Sequence, residues 1–348
     1  MSTVPRTEQR GPSLWAIILI LAGVIWLLAQ ANIISRENLS VLLRVWPILL
    51  IGLGLELLIG RQSRALSTLI ILGTIGILLV LMVVGPSIGL AAQSTVTEAQ
   101  YDQPLENAQS AEITVSVGVG NLYVRPVEDS SQLFDANIRY LGNVQYDASG
   151  SNENVTVRLE NDTQPLNWLA IDNIFNWLNS DESARWDIGI NPDVPVELNL
   201  STGTGGADLD LGDLHLTRLS VNSGTGGIVM TMPAVEEDAA PRHYEATVSL
   251  GTGGATLTLE DGIAVDLRVD SGTGGVTIDV PDNAPVRVDA ETGTGGIGVP
   301  SFLNRISGDE DNFVGARGVW ESASYASADE NARINIEYDG GTGGLTVR

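Results

Sequence analysis

The sequence predicts an N-terminal α-helical membrane region of three spans followed by an all-β domain, a stacked β-solenoid-like repeat. Three observations carry this: long apolar runs confined to the first 92 residues, a Gly-Thr-Gly-Gly tetrapeptide that recurs six times after residue 200, and apolar residues at alternate positions around each copy. The predicted boundaries are a cytoplasmic tail at 1–13, the membrane region at 14–92, a linker at 93–110 and the β domain at 111–348. An irregular aromatic-rich insertion is expected near 160–190.

The first run, residues 14–34, is long enough to cross roughly 30 Å of hydrocarbon at 1.5 Å per residue. The second, Val41 to Ile59, carries Arg44 where its long side chain reaches the headgroups, and Pro47 in its first turns, where proline costs little. The third runs from Leu66 to Ala92, with Pro86 expected to bend or end it. Two full spans before Ala91-Ala92 argue against reading that pair as a signal-peptide cleavage site. Glu56 is the one acidic residue within a span; it lies about one turn from Arg61 and Arg64, which favours an interfacial position over a proton relay or interhelix contact.

Charge sets the orientation. Up to Ala92 six arginines face three acidic residues, whereas beyond it twelve arginines face forty, and the whole chain carries −25. Arg6 and Arg10 precede the first span and Arg61 and Arg64 lie between the second and third, while no basic residue follows the third until Arg125. Short arginine-bearing loops stay in the cytoplasm, so the expected protein is a multi-pass cell-membrane protein with its N-terminus inside and its C-terminal domain outside. Arg36 and Arg44 dissent from that pattern. The lipid bilayer is therefore the first expected partner. Nucleic acid is not one, because so acidic a domain lacks the basic surface that supplies most of such affinity. There is no cysteine and no lysine, and His215 and His243 are the only histidines, which excludes thiolate chemistry and histidine-rich zinc sites.

The repeat begins with a weak copy, VSVGVGNLYV from Val115, in which Gly118 holds the place of the first motif glycine. The full copies start at Gly203, Gly224, Gly251, Gly272, Gly293 and Gly341, at intervals of 21, 27, 21, 21 and 48 residues. Leu267 and Val269 precede one motif and Val276, Ile278 and Val280 follow it, with Thr277 and Asp279 between them, a strand pattern with one dry face. Each unit then supplies two strands and a corner. The corner glycines are Gly203, Gly205 and Gly206; Gly224, Gly226 and Gly227; Gly251, Gly253 and Gly254; Gly272, Gly274 and Gly275; Gly293, Gly295 and Gly296; and Gly341, Gly343 and Gly344. Positive φ and close approach between neighbouring rungs explain why glycine is used there. The intervening threonine is either a ladder along the stack or a β-favouring residue at a wet corner.

Between Asp129 and Asn191 the repeat is interrupted by two strand-like segments, Phe134 to Tyr140 and Val155 to Leu159. An aromatic-rich piece follows in which Leu169, Ile174, Phe175 and Leu178 share a helical face beside Trp168 and Trp177. A cap over the first rung is preferred to a lipid-binding element, since the piece has no basic face.

No cofactor and no metal is expected. The tetrapeptides lack the Gly-Lys-Ser/Thr of a phosphate loop, and Gly85-Pro86-Ser87-Ile88-Gly89 matches a nucleophile elbow only by chance, at the end of a span. Calcium-binding β-roll offsets fail, because Asp208 and Asp210 are replaced by Val229 and Thr231 or Thr256 and Thr258 in other copies. Only a looser site at Asp309, Glu310 and Asp311 stays open. No repeated or unique acid–base constellation points to a glycan-cleaving β-helix, so the chain reads as no enzyme.

The segments SLWAIILILAGVIWLL and RVWPILLIGLGLELL, with Trp46-Pro47 as the membrane-region motif, resemble the membrane region shared by LiaI- and LiaF-type proteins of bacterial envelope-stress systems. The part from Ile113 onward resembles the adhesin-type or toastrack β-domains that often follow such regions. It departs from LiaF-type proteins in three spans where four are expected and in its long repeat array. The resemblance implies a one-sided β-solenoid and an accessory or regulatory role in envelope-stress signalling, with a membrane sensor kinase or another envelope protein as partner. The alternative is a cell-surface adhesin or scaffold without a signalling partner.

Overall fold

The computed structural model describes residues 41, 45–58, 64–85, 96–151, 153–162, 184–233, 243–309 and 314–348. They fall into two compact units, a helical one up to residue 85 and a β unit from residue 96.

The helical unit contains α1 (Pro47–Leu58) and α2 (Arg64–Val84). Within α2, Leu66–Val84 is long and apolar enough to cross a membrane, the one such helix among the described residues. The second expected span is shorter than expected: α1 has 12 residues, about 18 Å at 1.5 Å per residue. Proline explains the shortening. Pro47 has no N–H to continue a ladder from Val41, the next amides bond in tighter steps (Ile48 N to Val45 O 2.9 Å, Leu49 N to Trp46 O 2.9 Å), and Pro47 becomes the first residue of α1. The three expected spans are thus one membrane-length helix and one shorter apolar helix among the described residues; residues 14–34 lie outside them. The two helices touch where Gly52 lacks a side chain: a Cβ there would overlap Thr74, whose hydroxyl donates to Ile70 O at 2.8 Å. Glu56 accepts a hydrogen bond from Ser67 Oγ at 3.3 Å, so the helix contact set aside in the sequence is present.

The β unit holds two sheets, of ten and eleven strands. Seven rungs each give one strand to each sheet: β2 (Ser110–Val119) with β3 (Asn121–Pro126), β8 (Val196–Thr204) with β9 (Ala207–Asp210), β10 (Leu216–Thr225) with β11 (Ile228–Met232), β12 (His243–Thr252) with β13 (Ala255–Leu259), β14 (Ala264–Thr273) with β15 (Val276–Asp279), β16 (Val286–Thr294) with β17 (Ile297–Gly298), and β20 (Ile334–Thr342) with β21 (Leu345–Val347). Neighbouring rungs are parallel and in register, and alternate residues point between the sheets into one continuous core. Each rung alone is two short strands with one apolar face, so only stacking takes that face out of water.

The spatial order departs from the order in sequence. Rungs follow the chain up to β14/β15, but the next in space is β20/β21, which lies between β14/β15 and β16/β17. Before it inserts, the chain makes an antiparallel pair, β18 (Leu303–Asp309) and β19 (Arg317–Ser322), with β19 against β16. At the opposite end, β5 (Asn143–Gly150) and β6 (Asn154–Asp162) extend one sheet, and β1 (Thr97–Pro104), β4 (Gln132–Tyr140) and β7 (Arg185–Ile190) extend the other.

Strand β1 corrects the linker expected at 93–110. It pairs antiparallel with β4 and stacks Tyr101 on Tyr146 at 4.7 Å between ring centroids, an aromatic contact across two sheets that its polar sequence does not announce. The aromatic-rich piece with Trp168 and Trp177 lies outside the described residues. The buried tryptophan that closes this end of the core is Trp186, on β7.

Candidate functional site

Eighteen motif glycines come together along one edge of the stack, where every rung passes from one sheet to the other. The corner is hydrogen-bonded from rung to rung: Gly226 N donates to Thr252 O at 2.9 Å, Gly253 N to Thr273 O at 2.8 Å, Gly274 N to Thr342 O at 2.8 Å and Gly343 N to Thr294 O at 2.8 Å. Between neighbouring rungs the ladder of one sheet therefore runs through the corner into that of the other.

The glycines form three rows that are not equivalent. In the middle row, Gly205, Gly226, Gly253, Gly274, Gly295 and Gly343 have φ between +139° and +148°, a region that L side chains rarely adopt. A Cβ on Gly274 would also lie under 3.0 Å from the backbone of Gly253 on the neighbouring rung. In the first row, Gly203, Gly224, Gly251, Gly272, Gly293 and Gly341 have ordinary φ, but a Cβ would strike the carbonyl of the corresponding glycine next door. The third row, Gly206, Gly227, Gly254, Gly275, Gly296 and Gly344, is the most open, with a Cβ on Gly275 meeting nothing closer than 3.8 Å. The motif threonines align in register, Thr204 with Thr225, Thr252, Thr273, Thr342 and Thr294 in turn. Trp46 and Pro47 sit at the start of α1, with Trp46 37 % exposed.

Missing side chains leave an open groove on each sheet beside the corner. The groove on the ten-stranded sheet, about 820 Å³, is floored by third-row glycines and rimmed by Tyr123, Asp208, Val229, Thr256 and Thr277. The one on the eleven-stranded sheet, about 690 Å³, is rimmed by Asn222, Ser249, Asp270 and Asp339. Inside the corner a row of hydroxyls, unremarked in the sequence, is buried: Thr202 Oγ1 donates to Ser223 Oγ at 3.3 Å and Thr292 Oγ1 to Gly295 O at 3.0 Å. Its signal was available, since the residue before the motif is Thr202, Ser223, Ser271 or Thr292 in four of the six copies.

The outward face of the eleven-stranded sheet is a lattice of charges. Arg268 bonds Glu337 at 2.7 Å and Asp270 at 3.2 Å, and Arg287 pairs with Glu321. Asp266 accepts from His243 Nε2 at 2.9 Å and from Asn335 Nδ2 at 2.7 Å. Partial burial pushes that carboxyl up, but the bonds from His243 and Asn335 outweigh it and hold Asp266 below the usual carboxylate range. Asp135 behaves oppositely: burial raises it despite a backbone hydrogen bond from Gly189. Burial also pushes the Tyr244 phenol up. Among the described residues no group of three or more His, Cys, Asp or Glu side chains is arranged to hold a metal ion. Asp208 and Asp210 are exposed, and the side chains of Asp309, Glu310 and Asp311 lie outside the described residues. The edge is thus lined by glycine backbone, hydroxyls and amides, with carboxylates such as Asp208, Asp270 and Asp339 at the groove rims.

Residues 91–245 match the family described as the N-terminal domain of toast_rack, DUF2154, and residues 13–58 match the LiaI-LiaF-like transmembrane region. The chain joins a LiaI-LiaF-like membrane region to a toast_rack-like β domain. The match to the toast_rack domain takes in the strands from β1 to the start of β12, so the later rungs extend the stack beyond it. Among solved structures, a "putative cell adhesion protein" from Clostridium sporogenes is 16 % identical, covers 73 % of this chain and 99 % of its own, and superposes with a TM-score of 0.48. A "putative adhesin" from Bacteroides fragilis is 14 % identical, covers 74 % and 100 %, and gives 0.28. No curated protein matches the chain.

Proposed function

We propose that this protein is a non-enzymatic, membrane-anchored envelope protein that modulates envelope-stress signalling through contacts of its membrane helices or its β domain. The single observation that carries this reading is the union in one chain of a LiaI-LiaF-like transmembrane region with a toast_rack-like domain. In this reading the membrane region crosses three times with the N-terminus in the cytoplasm, and the β domain is a solenoid-like stack outside the cell, as the arginine distribution favours. The glycine corner keeps the stack rigid, and the partner is a membrane sensor kinase or another envelope protein.

Crosslinking the full-length protein in its native membrane, identifying what it captures, and comparing the output of a recovered kinase with and without the protein tests the proposal. A recovered kinase whose output changes on deletion is the expected result. An unchanged output would instead favour an adhesin or scaffold, and turnover of a glycan by the purified protein would overturn both.

A further inference from the structure

The rung β20/β21 occupies a slot whose two walls are consecutive units of the repeat. Gly272 and Gly293 are 21 residues apart, the same interval as Gly251 and Gly272, yet the latter pair lie on touching rungs while the former are separated by the inserted one. Register is continuous across the slot: Val265 pairs with Ile334 and Ile334 with Val286, and Thr273 pairs with Thr342 and Thr342 with Thr294.

The two walls hold the rung unequally. Against β14/β15 it makes three complementary contacts, Glu337 with Arg268 at 2.7 Å, Asn335 with Asp266 at 2.7 Å, and Arg348 with Asp279, which offset one like-charged pair, Asp339 opposite Asp270. Against β16 the outward residues are mismatched, since Glu337 stands opposite Asp289 and Asp339 opposite Glu291. Like charges directly opposite on neighbouring strands are destabilising. Arg287, the nearest cation on β16, is engaged by Glu321 on β19. The β16/β20 boundary, with two like-charged pairs and, among the described residues, no ion pair from the rung to offset them, is therefore the weaker of the rung's two walls and the seam at which it separates first.

The connection that carries the rung is long for the distance it covers. Residues 323–333, between β19 and β20, join two strands that flank β16, a gap of about 10 Å at the usual strand spacing. Eleven residues reach as far as about 36–40 Å when extended. Withdrawing the rung from its slot loses two strand ladders in each sheet, but placing it in the vacated slot of a second copy restores them all, which is the economy of strand exchange.

We propose that the β20/β21 rung is exchanged between two copies of this chain, each seating it between β14/β15 and β16/β17 of the other. A tether of eleven residues still favours the closed form through its high effective concentration, so exchange belongs to crowded membranes in which anchored copies meet at high density.

The chain's lack of cysteine makes the test direct. Asp270 and Asp339 are register partners on β14 and β20, and adjacent strands place Cα atoms within disulfide range. Two differently tagged full-length chains, one Asp270→Cys and the other Asp339→Cys, are co-expressed at low and high levels and oxidised in the membrane. The expected result is a disulfide-linked heterodimer whose yield rises with expression and falls several-fold when Asp289→Asn and Glu291→Gln relieve the seam in both chains. As a collision control, Asp270→Cys is paired with Glu98→Cys, an exposed position on β1 at the far end of the stack. A D270C–D339C heterodimer no more abundant than this control, while D270C/D339C in a single chain closes internally, overturns the proposal. Failure of that internal disulfide also overturns it, because the rung would then not occupy the slot.

Discussion

The helical and β units both use glycine to bring backbones together, but they bury opposite surfaces. In α1 and α2 the large apolar side chains point outward, with Leu58 79 % and Leu69 70 % exposed, whereas exposed large apolar residues in the β unit are limited among the described residues to Val229, Ile306 and Val314. The β unit turns its carboxylates outward and keeps Trp186, Trp320 and Phe134 inside. A surface of leucine suits hydrocarbon and a surface of carboxylates suits water, so the difference assigns each unit its solvent. At Gly52 the missing Cβ admits one threonine side chain, while at Gly274 it admits the backbone of the next rung.

That contrast is sharpest at the corner. Gly274→Val combines a φ of +139° with overlap against the backbone of Gly253, neither of which a side-chain rotation relieves. The expected loss is about 3 kcal/mol or more, measured by denaturant unfolding of the β domain. Gly275→Ala and Thr273→Ser in the same corner should each stay within about 0.5 kcal/mol. Equal tolerance of all three would remove the steric account of the motif. In the helical unit, Gly52→Leu should cost less, about 1–3 kcal/mol, because what it meets on α2 is the side chain of Thr74, which can shift; thermal unfolding in detergent measures it.

A smaller effect distinguishes the charged face. Asp266 lies below its ordinary range when folded, so its bonds to His243 and Asn335 add stability above the unfolded value of about 3.9, and this is lost as pH falls through the folded value. The stability gap between the natural chain and Asp266→Asn should be present at pH 6 and shrink as the pH falls below the unfolded value of about 3.9 and through the lower folded value. A gap constant with pH would mean that the carboxylate charge does not act through these bonds.

The corner could be read from the sequence because contact between backbones leaves only one residue type available, and the alternating apolar positions around Leu257 or Ile278 mark the buried face directly. The rung order could not. Ile334, Ile336 and Tyr338 present the same kind of inner face as Val286, Val288 and Ala290, so the period alone does not say which of them touches Val265, Leu267 and Val269. The deciding partners, Glu337 for Arg268 and Arg348 for Asp279, are 69 residues away in sequence. Strand β1 was missed for a related reason: its stabilising contact, Tyr101 on Tyr146, joins segments whose pairing appears only after folding. The grooves beside the corner follow from the glycine rows, but their rims depend on which strands neighbour one another.

In the proposed topology the acidic β stack is held in water outside the cell by an apolar helical region in the membrane. Protease added to intact protoplasts tests it most directly. The account predicts loss of the β domain and survival of a membrane-protected fragment that contains α2. Digestion of the β domain only after the membrane is permeabilised would contradict it.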